Sequence, residues 1–141
     1  MRLSVFSPAT TNSQLLIDLN KIYKDYFTEQ QLSTQSLEKL IEHNQTQLYV
    51  TMFNERHLGA VEVEKIGAKA QLKNLTIRQL TRRKGIAKNL LREVEQHLQH
   101  ESINEVAMSL EDIKEEEKQG MSLFLLDYGY VQTGSEFIKQ L

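Results

Sequence analysis

Between residues 78 and 87 the chain reads Arg78-Gln-Leu-Thr-Arg-Arg-Lys-Gly-Ile-Ala87, and those residue types in that order suit the holding of a phosphorylated ligand. Gly85 is the only glycine between Gly67 and Gly120, so it marks a place where backbone comes close to something bulky. After it Ile86, Leu90, Val94 and Leu98, with Ala87 and Leu91 beside them, recur at spacings of three and four and draw one apolar helix face. The amides of residues 83 to 87 are then the unpaired donors of a helix N-terminus. Arg82, Arg83 and Lys84 stand there against the rule that prefers acids at a helix start, and a bound anion would relieve the conflict. Amides, a positive helix end and basic side chains together make a pyrophosphate cradle. Coenzyme A is expected before any other ligand.

A basic run ahead of a helix is more often solvated surface, so the weight falls on the element before it. Leu72, Leu75 and Ile77 are the apolar positions of a strand, yet strand side chains alternate with period two and Leu72 is out of phase with the other pair. A bulge near Lys73 or Asn74 restores the phase. Bulged strand, basic loop, glycine and amphipathic helix then follow one another, with the helix expected from about Gly85 to His100.

The rest of the chain supplies the frame. At 141 residues it is expected to be one domain with enough core to fold without staples. A net charge of -2 argues against non-specific nucleic-acid binding, so the basic loop is a local feature. Cysteine is absent, which excludes disulfides, thiol catalysis and cysteine zinc sites. No long apolar run suggests a leader or membrane span, and a cytoplasmic protein is the expectation. Residues 2 to 6 read as a strand ended by Ser7 and Pro8. Leu15, Leu16, Leu19, Ile22 and Tyr23 form a helical stripe, and a second helix spans Thr34 to His43 with Ser33 as its cap. Leu48 to Phe53 and Leu58 to Val63 make a hairpin around the turn from Asn54 to His57. Val106, Met108 and Leu110 alternate as a strand. Glu115 to Tyr128 is helical, with Met121, Phe124, Leu125 and Tyr128 inward and Gly129 as its stop, and two short strands flank Thr133 to Ser135. The order β-α-α-β-β-β-α-β-α-β-β is an α/β fold with a mixed twisted sheet and flanking helices.

That order, with Arg82, Gly85 and Ala87 filling the pattern Gln/Arg-x-x-Gly-x-Gly/Ala, resembles the GCN5-related N-acetyltransferase (GNAT) superfamily. Gly129 and Tyr130 look like the Gly-Phe that ends the superfamily's last helix. Within it the chain is most similar to the PanZ or PanM family, the acetyl-CoA-binding maturation factor of aspartate 1-decarboxylase. The likeness is carried by Ile17-Asp-Leu-Asn-Lys-Ile22, Phe53-Asn-Glu-Arg56, Ala60-Val61 and Leu75-Thr-Ile-Arg-Gln-Leu-Thr-Arg-Arg-Lys-Gly-Ile86. The resemblance implies an acetyl-CoA site on the backbone of Leu75, Thr76 and Ile77 and on the loop Thr81, Arg82, Arg83, Lys84, Gly85, Ile86, Ala87 and Lys88. It also implies a partner, the decarboxylase zymogen, whose self-cleavage the loaded protein promotes in pantothenate and coenzyme A biosynthesis, with Asn54 at the partner surface and a monomeric free form. Two stretches depart from the family pattern: extra residues between Tyr26 and Tyr49, and the acidic run from Glu111 to Glu117, which is open between a helix cap, a partner surface and a solvated run, the last being the usual case.

Acetyl transfer needs a base for the amine proton and an acid for the departing thiolate. In many enzymes of the superfamily the acid is a tyrosine four residues before the helix-ending glycine, and that position is Leu125 here. Tyr128 is three residues further along, about 300 degrees around the helix from Leu125 and so not at the same position, and is read as core. Glu62 and Glu64 share a strand face opposite Val61 and Val63, either as a carboxylate pair or as an exposed face. His43, His57, His97 and His100 have no ligand spacing and are read as surface residues, and no metal site or catalytic residue is assigned. Three readings stay open: a non-catalytic acetyl-CoA sensor, favoured by Leu125; an N-acetyltransferase acting on a small amine or a protein N-terminus; and an interaction module with a basic loop.

Overall fold

The computed structural model describes residues 3–42, 46–78, 85–111 and 113–141. Eleven elements follow in the expected order: β1 (Ser4–Phe6), α1 (Ser13–Tyr23), α2 (Thr34–Glu42), β2 (Thr46–Phe53), β3 (Arg56–Ile66), β4 (Lys69–Ile77), α3 (Ile86–His100), β5 (Glu105–Ser109), α4 (Glu115–Asp127), β6 (Val131–Thr133) and β7 (Glu136–Gln140). The strands form a 7-stranded sheet in the order β1-β2-β3-β4-β5-β7-β6. Among the described residues only β4 and β5 run parallel, so the sheet is mixed.

Local chemistry sets the element ends. The Asn12 side chain accepts the Leu15 N–H at 2.9 Å and starts α1, and Ser33 Oγ accepts the Ser36 N–H at 3.2 Å at the start of α2. Gly129, at φ 103°, ends α4 while the Tyr130 N–H reaches back to the Leu125 carbonyl at 2.9 Å. The β2–β3 turn is tighter than the sequence suggests. Phe53 pairs with Arg56, leaving Asn54 (φ 49°) and Glu55 (φ 64°) as a two-residue turn of left-handed residues, so Arg56 and His57 already belong to β3.

The middle of the sheet is covered on both faces, and in β3 the residues Leu58, Gly59, Ala60 and Val61 form a continuous buried run before the strand turns to alternating Glu62, Val63 and Glu64. Leu48, Val50 and Ala60 face α1 and α2 and pack with Leu15, Leu19, Ile22, Leu37 and Ile41. Tyr49, Val61, Val63, Leu72 and Met108 face α3 and α4. The α3 stripe of Leu90, Leu91, Val94 and Leu98 is wholly buried there, each residue contributing about 1.5–3 kcal/mol by leaving water.

Strand β4 is irregular in two ways, a bulge and an early parting from its neighbour. Ala60 pairs with Thr76 but Glu62 with Lys73, so two steps on β3 face three on β4, and the extra residue falls between Lys73 and Thr76. Asn74, at φ 53°, takes up the slack. The out-of-phase Leu72 thus has the explanation expected. The parallel pairing of β4 with β5 ends at Leu72 and Met108, and beyond that point the strands part.

Candidate cofactor cleft

Where β4 and β5 separate, a cavity of about 720 Å³ opens between them. One wall is the strand segment Leu75, Thr76 and Ile77, continuing into Gly85, Ile86, Ala87 and Lys88 at the start of α3. The opposite wall is Met108 and Ser109 of β5, with Gly120, Met121 and Phe124 of α4. Past Leu72 the β4 backbone has lost its β5 neighbour, so that edge of the strand faces the cavity and suits a ligand arm containing amides. Gly85 is left-handed at φ 74° and forms the N-cap of α3, whose first turn holds no acid. The first-turn amides of a helix have no intrahelical acceptor, and here they border the cavity. Seven of the residues expected to hold a cofactor, Leu75, Thr76, Ile77, Gly85, Ile86, Ala87 and Lys88, are therefore brought to one cleft. Thr81, Arg82, Arg83 and Lys84 lie outside the described residues.

The bulge is braced from the far face. Tyr23 Oη donates to the Asn74 carbonyl at 2.8 Å, and Asn74 Nδ2 donates to the Glu62 carboxylate. Burial pushes the Glu62 pKa up, with the Asn74 amide and the Lys73 charge pulling against it. Glu64 pairs instead with Lys73 at 3.6 Å. The two carboxylates share a side of β3, but Glu62 is hydrogen-bonded to Asn74 and Glu64 ion-paired with Lys73, which is a bracing arrangement and not a carboxylate dyad.

Helix α4 presents no hydroxyl at the acid position. Leu125 is wholly buried in the core, and the α4 residues on the cavity are Glu117, Gly120, Met121 and Phe124. Tyr128 turns elsewhere: its ring stacks on Phe124 at 6.1 Å, Lys139 Nζ sits 4.0 Å from its centroid, and burial, with help from Glu95, pushes its pKa up to about 12. The sequence reading missed Tyr26, whose ring lines the cavity and whose hydroxyl donates to Glu117 Oε1 at 2.7 Å. No periodic pattern marks Tyr26, because it follows α1 in an irregular segment. Of the acidic run, whose role the sequence leaves open, Glu111 and Glu117 are cavity wall.

A correction concerns the histidines. His57 is buried, not on the surface, with 5% of its area exposed. Its backbone N–H and its ring Nδ1 both meet Asp18 Oδ2 at 2.8 Å. Asp18 Oδ1 takes Arg56 Nη2 at 2.9 Å and Gln14 Nε2 at 2.9 Å. Burial alone would raise the Asp18 pKa, but the His57 N–H and the Arg56, His57 and Gln14 side chains outweigh it and hold the carboxyl below its ordinary value. His97 and His100 are exposed as expected. Among the described residues no cluster of histidine, aspartate or glutamate is arranged for a metal ion, and no helix is long and apolar enough to cross a membrane.

With this geometry in view, the sequence pattern of the acetyltransferase (GNAT) domain PanZ matches residues 2–137. The chain belongs to the PanZ family. A Salmonella typhimurium protein named PanD regulatory factor is 31% identical over 130 residues, 92% of each chain. The Escherichia coli protein of the same name is 36% identical over 94 residues, 67% of each. The solution NMR structure of Escherichia coli YhhK bound to coenzyme A superposes with a TM-score of 0.77 at 26% identity, covering 100% of both chains. The Thermoplasma acidophilum PaiA N-acetyltransferase, solved with coenzyme A, gives 0.72 at 19% identity over 100% of each chain and shares the GNAT fold. Two of the sequence fragments that carry the PanZ likeness meet in space, since Asp18 of the first is the hydrogen-bond partner of Arg56 in the second.

Proposed function

We propose that this protein is an acetyl-CoA-binding regulator that docks on the zymogen of aspartate 1-decarboxylase, PanD, and promotes its self-cleavage, so that acetyl-CoA supply is read into pantothenate synthesis. The observation that carries the reading is the cleft itself: a strand edge released by the β4–β5 separation leads to a left-handed glycine at a helix start, while Leu125, buried, takes the place of a proton donor. The relatives named PanD regulatory factor support the partner, and the coenzyme A complex of YhhK supports the ligand. In this reading Leu75, Thr76 and Ile77 pair with the pantetheine amides, and Thr81 through Lys88 take the pyrophosphate. Asn54, exposed at the tip of the β2–β3 hairpin, meets the decarboxylase. The protein is cytoplasmic and monomeric until it meets that partner.

The test is calorimetry with acetyl-CoA and with free coenzyme A, each repeated with the decarboxylase zymogen, beside a gel assay of zymogen cleavage. The expected result is tighter zymogen binding and faster cleavage with acetyl-CoA; no complex under any condition would end the reading. One observation favours a transferase, the Tyr26 hydroxyl on the cavity wall. Amine-dependent thiol release from acetyl-CoA across an amine panel decides between them, because a sensor shows none.

A further inference from the structure

The hydrogen bond between Tyr26 and Glu117 joins elements on opposite sides of the sheet. Tyr26 packs with the cluster under α1 and α2, whereas Glu117 belongs to α4, whose Leu125, Met121 and Phe124 pack on the other face. A side chain from one layer meets the other only where the sheet is open, and the opening is the gap beyond Leu72 and Met108. Tyr26 is held there firmly. Its N–H and that of Phe27 bond to the Tyr23 carbonyl at 3.0 and 2.9 Å, and the Tyr23 and Phe27 rings stack at 4.3 Å. Tyr23 is itself fixed to the Asn74 carbonyl at 2.8 Å. Lys114 Nζ lies over the Tyr26 ring, 4.8 Å from its centroid.

Tyr23 ties this group to Asn74, where the exposed β4 segment begins, while Gly85 follows Ile77 at its other end in the lining of the same cavity. The three residue steps between Asn74 and Ile77 span about 10 Å of strand. A coenzyme A laid along β4 with its pyrophosphate at Gly85 therefore runs its thioester toward Tyr26, since pyrophosphate and thioester are at opposite ends of the arm. We propose that Tyr26, latched by Glu117, is the end wall of the cleft and sets the length of acyl chain admitted, limiting the protein to short acyl thioesters such as acetyl. The proposal rests on the cofactor reading above. A wall built of a braced ring does not yield to a longer chain as flexible side chains would, and in a fitted apolar pocket a single methylene is worth roughly 10–200-fold in discrimination.

The experiment is calorimetry of the full chain with acetyl-CoA and butyryl-CoA, the latter longer by two methylenes. Wild-type protein is expected to prefer acetyl-CoA by about tenfold or more. Tyr26→Ala should bring the two within about twofold, chiefly by admitting butyryl-CoA. Circular dichroism checks that the variant folds; if it does not, Glu117→Ala, which leaves the ring but removes its latch, is expected to shift the ratio in the same direction. Equal affinities in the wild type, or a preference unchanged in the folded variants, overturns the inference while leaving the cofactor reading intact. Binding of neither thioester ends both.

Discussion

Asp18 Oδ2 accepts the backbone N–H and meets the ring Nδ1 of the same residue, His57, each at 2.8 Å. With Arg56 on the other carboxylate oxygen, a single buried acid on α1 fixes the first two residues of β3 and so the base of the β2–β3 hairpin. Removing it in Asp18→Ala leaves the buried His57 N–H without its acceptor, which costs on the order of 1–3 kcal/mol. Urea denaturation should show a lower midpoint with an unchanged slope.

The same contact predicts an acid-limb pH dependence. A carboxyl held below its ordinary value in the folded state stabilises the fold above the unfolded value of 3.8, and that contribution is lost as pH falls through the lower folded value. Asp18→Asn carries no such charge. The stability gap between wild type and Asp18→Asn should therefore shrink as the pH falls below about 4. A gap that widens as the pH falls below about 4 would contradict the assignment.

How far the sequence could be read depended on whether a feature was periodic. The α3 stripe, the Leu72 phase error and the helix-ending Gly129 each leave a mark in a few neighbouring residues, so the element order and the bulge were legible. Tyr26 and Asp18 leave none, because their partners Glu117, His57 and Arg56 are distant in sequence and are met only when layers close. His57 was misread for the same reason. A histidine in a turn-like stretch looks exposed until the turn proves to be Asn54 and Glu55 alone. Of the site, the β4 segment and the start of α3 were legible because they are consecutive; the α4 wall was not, since nothing in Gly120, Met121 or Phe124 separates a cavity lining from an ordinary core face.

Gly59→Ala should disturb the cleft without touching it. A Cβ at Gly59 would collide with Ile77 Cδ1 and lie 3.1 Å from the Thr76 carbonyl oxygen and 3.3 Å from Thr51 Cγ2. The Ile77 tip can rotate away but the Thr76 backbone cannot, and overpacking of this kind costs about 1–3 kcal/mol. Because Thr76 and Ile77 are cavity wall, thermal denaturation should show the loss together with weaker acetyl-CoA binding by calorimetry.

Asn54→Gly separates the partner surface from the fold. Asn54 is exposed at φ 49°, a conformation glycine adopts freely, so the turn survives and the unfolding free energy should change by no more than about 0.5 kcal/mol, as expected of a surface change. If the Asn54 side chain meets the decarboxylase, zymogen affinity should fall by about tenfold or more while acetyl-CoA affinity is unchanged. Unaltered zymogen binding would remove Asn54 from the interface.

Gly85 allows charge and backbone strain to be told apart at the proposed pyrophosphate site. Its φ of 74° is left-handed, so any side chain costs about 1–2 kcal/mol of strain at the start of α3. Among the described residues a Cβ there meets no atom within 4 Å, so none of them adds a collision to that cost. Gly85→Ala and Gly85→Glu should thus lose similar stability in thermal denaturation. They should differ in ligand binding: the alanine adds only a methyl group, whereas the glutamate sets a negative charge among helix-start amides that would otherwise receive phosphate oxygens. Acetyl-CoA affinity, measured by calorimetry, should fall modestly in Gly85→Ala and collapse in Gly85→Glu. Equal affinities in the two variants would mean that the pyrophosphate binds elsewhere and that Gly85 serves only to start the helix.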